Sequence, residues 1–213
     1  MANWITSGRC LLLLVVVLLI YFGSPAMQLF NALLVVVMIS LDGLDGYIAR
    51  KRGEESVFGA TFDIAADRMV ENVMWVVLAH VGLIPVWVPL LFIARGELVD
   101  AIRSHGAAQG TAAFDMLRSP LAKVIVGGRF MRAFYAVVKA TTFTWVIFWS
   151  GVASLSPPLW ASWSDLIGVI SQTLIVSSAA LCILRGAPVV IEFVAARNEH
   201  NEDQEDSREA GAV

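Results

Sequence analysis

Asp42-Gly43-Leu44-Asp45-Gly46-Tyr47-Ile48-Ala49-Arg50, then Gly59 after eight intervening residues, then Asp63 and Asp67 at steps of four, is the stretch on which the reading of this chain turns. Four carboxylates and an arginine stand between two strongly apolar runs. Charges at the edge of a membrane core are costly and are functional by default. Asp42 and Asp45 are three residues apart, and Asp63 and Asp67 four apart, so on two helices each pair shares a face. Carboxylates gathered at one point repel one another and pick up protons unless cations relieve them. Their oxygens suit hard divalent ions, and a pair of such ions clamps a pyrophosphate and stabilises charge on a leaving phosphate. Gly46 and Gly59 permit close approach of a ligand. Arg50 offers a planar fork for phosphate oxygens.

Composition sets the context. The chain has 213 residues, of which 58% are hydrophobic, and its mean hydropathy is +0.73. Soluble domains run at about 45–50% apolar, so an integral membrane protein is expected. The net charge of -3 owes much to the acidic end of the chain. Cys10 and Cys182 both fall in apolar runs and read as small apolar residues, not as a disulfide or metal site. A cleaved leader is not expected, because only Arg9 precedes the first apolar run and Ser24-Pro25-Ala26 makes a poor cleavage site.

Six apolar segments are expected, roughly 10–23, 26–41, 63–84, 85–102, 133–154 and 164–184. The first two are short for the ~20 residues a span needs; the first extends back to Ile5 if Arg9 snorkels. Turns follow at Gly23-Ser24-Pro25, at Pro85 and Pro89, and at Ser156-Pro157-Pro158. Basic residues fall on one side only, in the 50–52 and 103–139 regions and near the termini, which by the positive-inside rule is cytoplasmic. Both termini and the carboxylate motif are therefore expected on the cytoplasmic face. The 104–132 region is expected to be a loop with a short interfacial helix around Phe114–Ile125. Residues 1–197 then form one membrane domain, and the acidic residues 198–213 a disordered tail. Trp75, Trp87, Trp145, Trp149, Trp160 and Trp163 are expected as interfacial anchors. His80 and His105 read as structural.

The spacing Asp42-x2-Asp45-Gly46-x2-Ala49-Arg50-x8-Gly59-x3-Asp63-x3-Asp67 resembles the signature of the CDP-alcohol phosphotransferases at every fixed position. Asn3, Thr6 and Arg9 resemble that family's N-terminal Asn-x2-Thr-x2-Arg, so the resemblance covers about residues 3–195. It implies an all-α integral membrane protein of six transmembrane helices with a cytoplasmic-side active site. It implies that Asp42, Asp45, Asp63 and Asp67 hold two divalent ions, Mg²⁺ by family habit with Mn²⁺ as the alternative. Asp67 would also be the general base on the acceptor hydroxyl. Gly46, Arg50, Ser56 and Gly59 would line the cytidine diphosphate site, with Asn3 and Thr6 nearby. The implied donor is CDP-diacylglycerol, with CMP the leaving group. A homodimer in a bacterial inner membrane is implied, and no nucleic-acid partner.

The implied acceptor is a small polar alcohol. Arg95 and Arg103 lie two helical turns apart, in a stretch similar to the Arg-Glu…Leu-Arg of phosphatidylglycerophosphate synthases, although Gly96 separates Arg95 from Glu97. Lys139-Ala140-Thr141-Thr142 is similar to the Gly-Lys-x-Lys-Thr of their fifth helix, with Val138 and Thr141 as departures. Arg95, Arg103 and Lys139 are thus the candidate acceptor-binding residues, and glycerol 3-phosphate the leading acceptor. Inositol phosphate, phosphatidylglycerol and an unphosphorylated alcohol stay open. A reading from another class is a cation transporter or channel that uses the carboxylates for passage.

Overall fold

A computed structural model describes the backbone of residues 2–52, 57–108 and 119–210. It describes their side chains except at 2–4, 42–52, 57, 58, 60, 107, 108, 121 and 198–210. Seven helices account for nearly all of this: α1 (Ala2–Phe22), α2 (Pro25–Arg52), α3 (Val57–His80), α4 (Trp87–Ala108), α5 (Pro120–Gly127), α6 (Arg129–Leu155) and α7 (Pro157–Ala210). No strand occurs among the described residues.

Local chemistry sets the boundaries. Pro25, Pro120 and Pro157 open α2, α5 and α7, where the missing N–H is no loss. Gly82 ends α3 with φ of 77°. Its N–H bonds Ala79 O at 3.0 Å, and that of Leu83 bonds Leu78 O at 2.9 Å. This double bond pattern is a Schellman cap, which needs the left-handed conformation that glycine adopts without penalty.

Many large apolar side chains face outward, as in a membrane protein, and a few polar groups are buried beside the apolar core. Leu11, Leu14, Leu18 and Phe22 on α1, and Phe30, Leu33 and Val37 on α2, are exposed, whereas Thr6, Arg9, Asn31, Thr142 and Ser178 are buried. Exposed apolar surface on this scale fits a bilayer and not water. Three stretches, Ile5–Phe22, Arg129–Leu155 and Pro157–Arg197, are long and apolar enough to cross a membrane; Pro25–Leu41 is apolar but shorter. Helices α3 and α4 carry Asp63, Asp67 and Glu71, and Arg95, Glu97 and Arg103 respectively. These charges dilute the hydropathy that the six-segment expectation relied on.

The chain forms two compact units, Met1–Leu90 with Val137–Ser178, and Leu91–Ala136 with Ala179–Val213. In the first, α1 packs on α2 and α3, and Val16, Val35, Met38, Met74, Leu78 and Ile147 are fully buried. Trp75, expected as an interfacial anchor, is wholly buried, edge-on to Phe143 at 4.5 Å between ring centres. Polar groups tie the helices. Asn31 Nδ2 donates to Val16 O at 3.1 Å, and the hydroxyls of Thr142 and Ser178 lie 3.0 Å apart. Such bonds stand in for the hydrophobic effect, which is weak between helices in lipid. At Gly151 a Cβ would come within 3.0 Å of Gln28 Cβ, so the small residue lets α6 approach the start of α2.

In the second unit Val99, Ile102, Ala122, Val126 and Val189 form the core, with Val190 and Phe193 against it. Helix α5 falls in the expected interfacial region but starts later, at Pro120; residues 109–118 lie outside the described residues. Ser119 N–H bonds Glu192 Oε1 at 3.1 Å. The backbone of α7 runs on as helix through Ala210, including acidic residues expected to lack structure. Its Glu, Gln, Arg and Ala residues are good helix formers. Pro188 does not end the helix, as is common in membrane helices.

Candidate active site

Helix α3 brings Gly59, Asp63, Asp67 and Glu71 onto successive turns, and Asp63, Asp67 and Glu71 share one face by the four-residue step. Asp42, Asp45, Gly46 and Arg50 occupy the last turns of α2, at the three-residue step expected for one face. The side chains of these four, that of Asn3, and the whole of Ser56 lie outside the described residues. Among the described residues no group of three or more His, Cys, Asp or Glu is placed to hold a metal. The half of the carboxylate set that is described is Asp63 and Asp67.

Those two carboxylates meet a partner that the sequence reading sent elsewhere. Arg9 does not snorkel to a membrane edge. Its Nη2 donates to Asp67 Oδ1 at 2.7 Å and its Nη1 to Asp63 Oδ1 at 3.4 Å. The arginine side chain is 3% exposed, the carboxylates 40% and 48%. Thr6, one turn earlier on α1, is buried as well. Hard oxygen donors, paired on one face and open to solvent, fit a divalent cation. The signal for Arg9 was present in the sequence, as a lone charge in an apolar run.

Lys139, expected at the acceptor, bonds Glu71 Oε2 at 2.8 Å, with both side chains mostly buried. The pair joins α6 to α3 one turn beyond Asp67. Glu71 had no role in the sequence reading.

In the second unit, Arg95 and Arg103 on α4 belong to a larger basic group. Arg185 on α7 donates from Nη2 to Val126 O at 3.0 Å and lies over the Tyr135 ring at 5.1 Å. Arg95, Arg103 and Arg132 are the like charges acting on it. Arg95 runs along Gly186, where a Cβ would stand 2.7 Å from its Cγ and 2.9 Å from its Nε. The Nε atoms of Arg95 and Arg185 are buried and meet no acceptor among the described residues. Guanidinium groups gathered in this way repel, and a bound oxyanion relieves them through charge-assisted bonds. Arg132 and Arg185 looked in sequence like positive-inside charges, because only the convergence of α4, α6 and α7 reveals the group.

Comparison with known proteins matches this arrangement to one family. The family model described as CDP-alcohol phosphatidyltransferase matches residues 1–157. A Rickettsia typhi protein named CDP-diacylglycerol--glycerol-3-phosphate 3-phosphatidyltransferase is 33% identical over 101 residues, which are 47% of this chain and 57% of that protein. A Bacillus subtilis protein of the same name is 30% identical over 86 residues, 40% of this chain and 45% of that one. A Mycoplasma genitalium protein, also of that name, is 29% identical over 121 residues, 49% of this chain and 51% of that one. The chain thus spans about half the length of the curated relatives it matches. Members of the family generally depend on a divalent metal, which agrees with solvent-open aspartates paired on one face. On its motif, its helical membrane architecture and a match over most of its length, the chain belongs to the CDP-alcohol phosphatidyltransferase family.

Proposed function

We propose that this protein transfers a phosphatidyl group from CDP-diacylglycerol to a hydroxyl of glycerol 3-phosphate and releases CMP. The observation that carries the proposal is the Asp63–Asp67 pair, held on one face of α3 and open to solvent. Asp42, Asp45, Asp63 and Asp67 would together hold two divalent ions, Mg²⁺ or Mn²⁺. When bound, these ions would neutralise the diphosphate and the charge that develops on the departing CMP. Gly46, Arg50, Ser56 and Gly59, with Asn3 and Thr6, bind and orient the cytidine diphosphate. Asp67 takes the proton of the acceptor hydroxyl. That oxygen then bonds to the phosphorus bearing the diacylglycerol, and the bond from this phosphorus to the bridging oxygen breaks. CMP leaves with the electron pair.

Arg95 and Arg103, with Arg132 and Arg185, bind the phosphate of the acceptor. The gathering of these guanidinium groups, with the Nε atoms of Arg95 and Arg185 buried, supports this part, since Arg forks suit phosphate oxygens. Lys139, the third acceptor candidate, pairs with Glu71, and the Lys139→Met and Glu71→Gln variants decide its part in acceptor binding. Six spans, cytoplasmic termini, a bacterial inner membrane and a homodimer complete the reading, carried over from charge distribution and family resemblance. The test is a panel of acceptors offered with CDP-diacylglycerol to the purified protein, with the lipid product identified by mass spectrometry. Phosphatidylglycerophosphate is expected. A product formed only with inositol phosphate, phosphatidylglycerol or an unphosphorylated alcohol refutes the acceptor assignment; no CMP with any acceptor refutes the transferase.

A further inference from the structure

We infer that Arg9 is a positioning residue that fixes the orientation of Asp63 and Asp67 as metal ligands, an inference that rests on the metal reading of those two residues. The asymmetry of burial supports it. In most surface ion pairs both partners are wet and little is gained. Here the arginine is sealed in the packing of α1, while the carboxylates stand 40% and 48% exposed. The fixed member is therefore the cation, and the members held are the anions. The guanidinium is planar and rigid, and it spends its two terminal nitrogens on two different carboxylates, one oxygen each. A single group thus sets the rotation of both side chains at once. Two like charges on adjacent turns of one helix repel, and the shared guanidinium offsets that repulsion.

Two effects of the arginine on a cation oppose each other, and their signs differ. As a positive charge beside the ligands it weakens cation binding. As a support that orients them it strengthens binding, and losing such a support typically costs about ten- to a hundred-fold in affinity. The positioning role requires the second effect to win.

The experiment is Mn²⁺ binding to the purified full chain in detergent, read from the electron paramagnetic resonance of free Mn²⁺ with no lipid substrate present. Arg9→Gln and Arg9→Lys are compared with the unaltered protein, with circular dichroism as the check on folding. Arg9→Lys keeps the charge and loses the fork. Weaker Mn²⁺ binding by about ten-fold or more in both variants supports the inference. Unchanged or tighter binding in either overturns it and leaves Arg9 as a counter-charge. If Arg9→Gln fails to fold, Arg9→Lys alone decides by the same criterion. A protein that binds Mn²⁺ in an Arg9-dependent way yet releases no CMP keeps this inference and loses the proposed activity. One that releases CMP while its Mn²⁺ binding ignores Arg9 does the reverse.

Discussion

Replacing Lys139 with methionine separates two roles for this residue, a tether to Glu71 or a ligand for the acceptor. The replacement keeps most of the stem and removes the ammonium, so Glu71 is left charged in a largely buried position. Breaking a buried pair from one side costs about 3–5 kcal/mol. The two side chains are 17% and 18% exposed, with 2.8 Å between Nζ and Oε2, so the lower end, about 3 kcal/mol, applies. For a chain of this length each kcal/mol lowers the melting temperature by about 2–4 °C, and Lys139→Met should therefore melt about 6–12 °C lower. Adding Glu71→Gln to it removes the stranded charge and should restore most of the loss, with a coupling of about 1–3 kcal/mol. The assay is thermal unfolding of the four proteins in one detergent, followed by steady-state kinetics on the folded ones. The double variant should keep the acceptor KM of the unaltered protein. Additive melting losses refute the tether, and a KM for glycerol 3-phosphate that rises sharply in the stable double variant returns Lys139 to the acceptor site.

Three further outcomes follow from the packing and the basic group. Trp75→Ala empties the space against Phe143 and should destabilise the protein by about 3–5 kcal/mol, measured by thermal unfolding; a loss under 1 kcal/mol would put Trp75 at an interface after all. Thr142→Val breaks the hydroxyl contact with Ser178 and should cost about 0.6–1.7 kcal/mol, a small downward shift in the same assay. Gly186→Val pushes into Arg95 and should raise the KM for a phosphorylated acceptor about ten-fold, the value of one charge-assisted bond, while the KM for CDP-diacylglycerol holds. Equal changes in both would detach Arg95 from the acceptor.

The parts legible in sequence are those whose cost is written locally. Four aspartates beside apolar runs announce themselves because lipid makes each one expensive. Their steps of three and four put them on helix faces before any fold is known, and Asp63 and Asp67 are found so placed. The turn after α3 was equally readable, from Pro85 and Pro89, although the Gly82 cap that makes it was not. What sequence could not assign was which charge meets which. Arg9 reads as a snorkelling cation because a long side chain near a helix end escapes cheaply; only the packing of α1 on α3 turns it toward the aspartates. Arg185 and Arg132 read as topology signals for the same reason. Lys139 was assigned by likeness to a motif whose neighbouring lysine is Thr141 here, and its pairing with Glu71 could not be read from spacing. Trp75 was placed at an interface by composition statistics, but a tryptophan near a segment end also packs inward when an aromatic such as Phe143 faces it.

The decisive measurement is release of CMP from CDP-diacylglycerol by the purified protein, with and without glycerol 3-phosphate and Mg²⁺, and with Asp67→Asn beside the unaltered chain. CMP is expected only when acceptor and Mg²⁺ are both present, and none from Asp67→Asn even where that variant still binds the donor. CMP release that needs no acceptor, or that persists undiminished in Asp67→Asn, contradicts it.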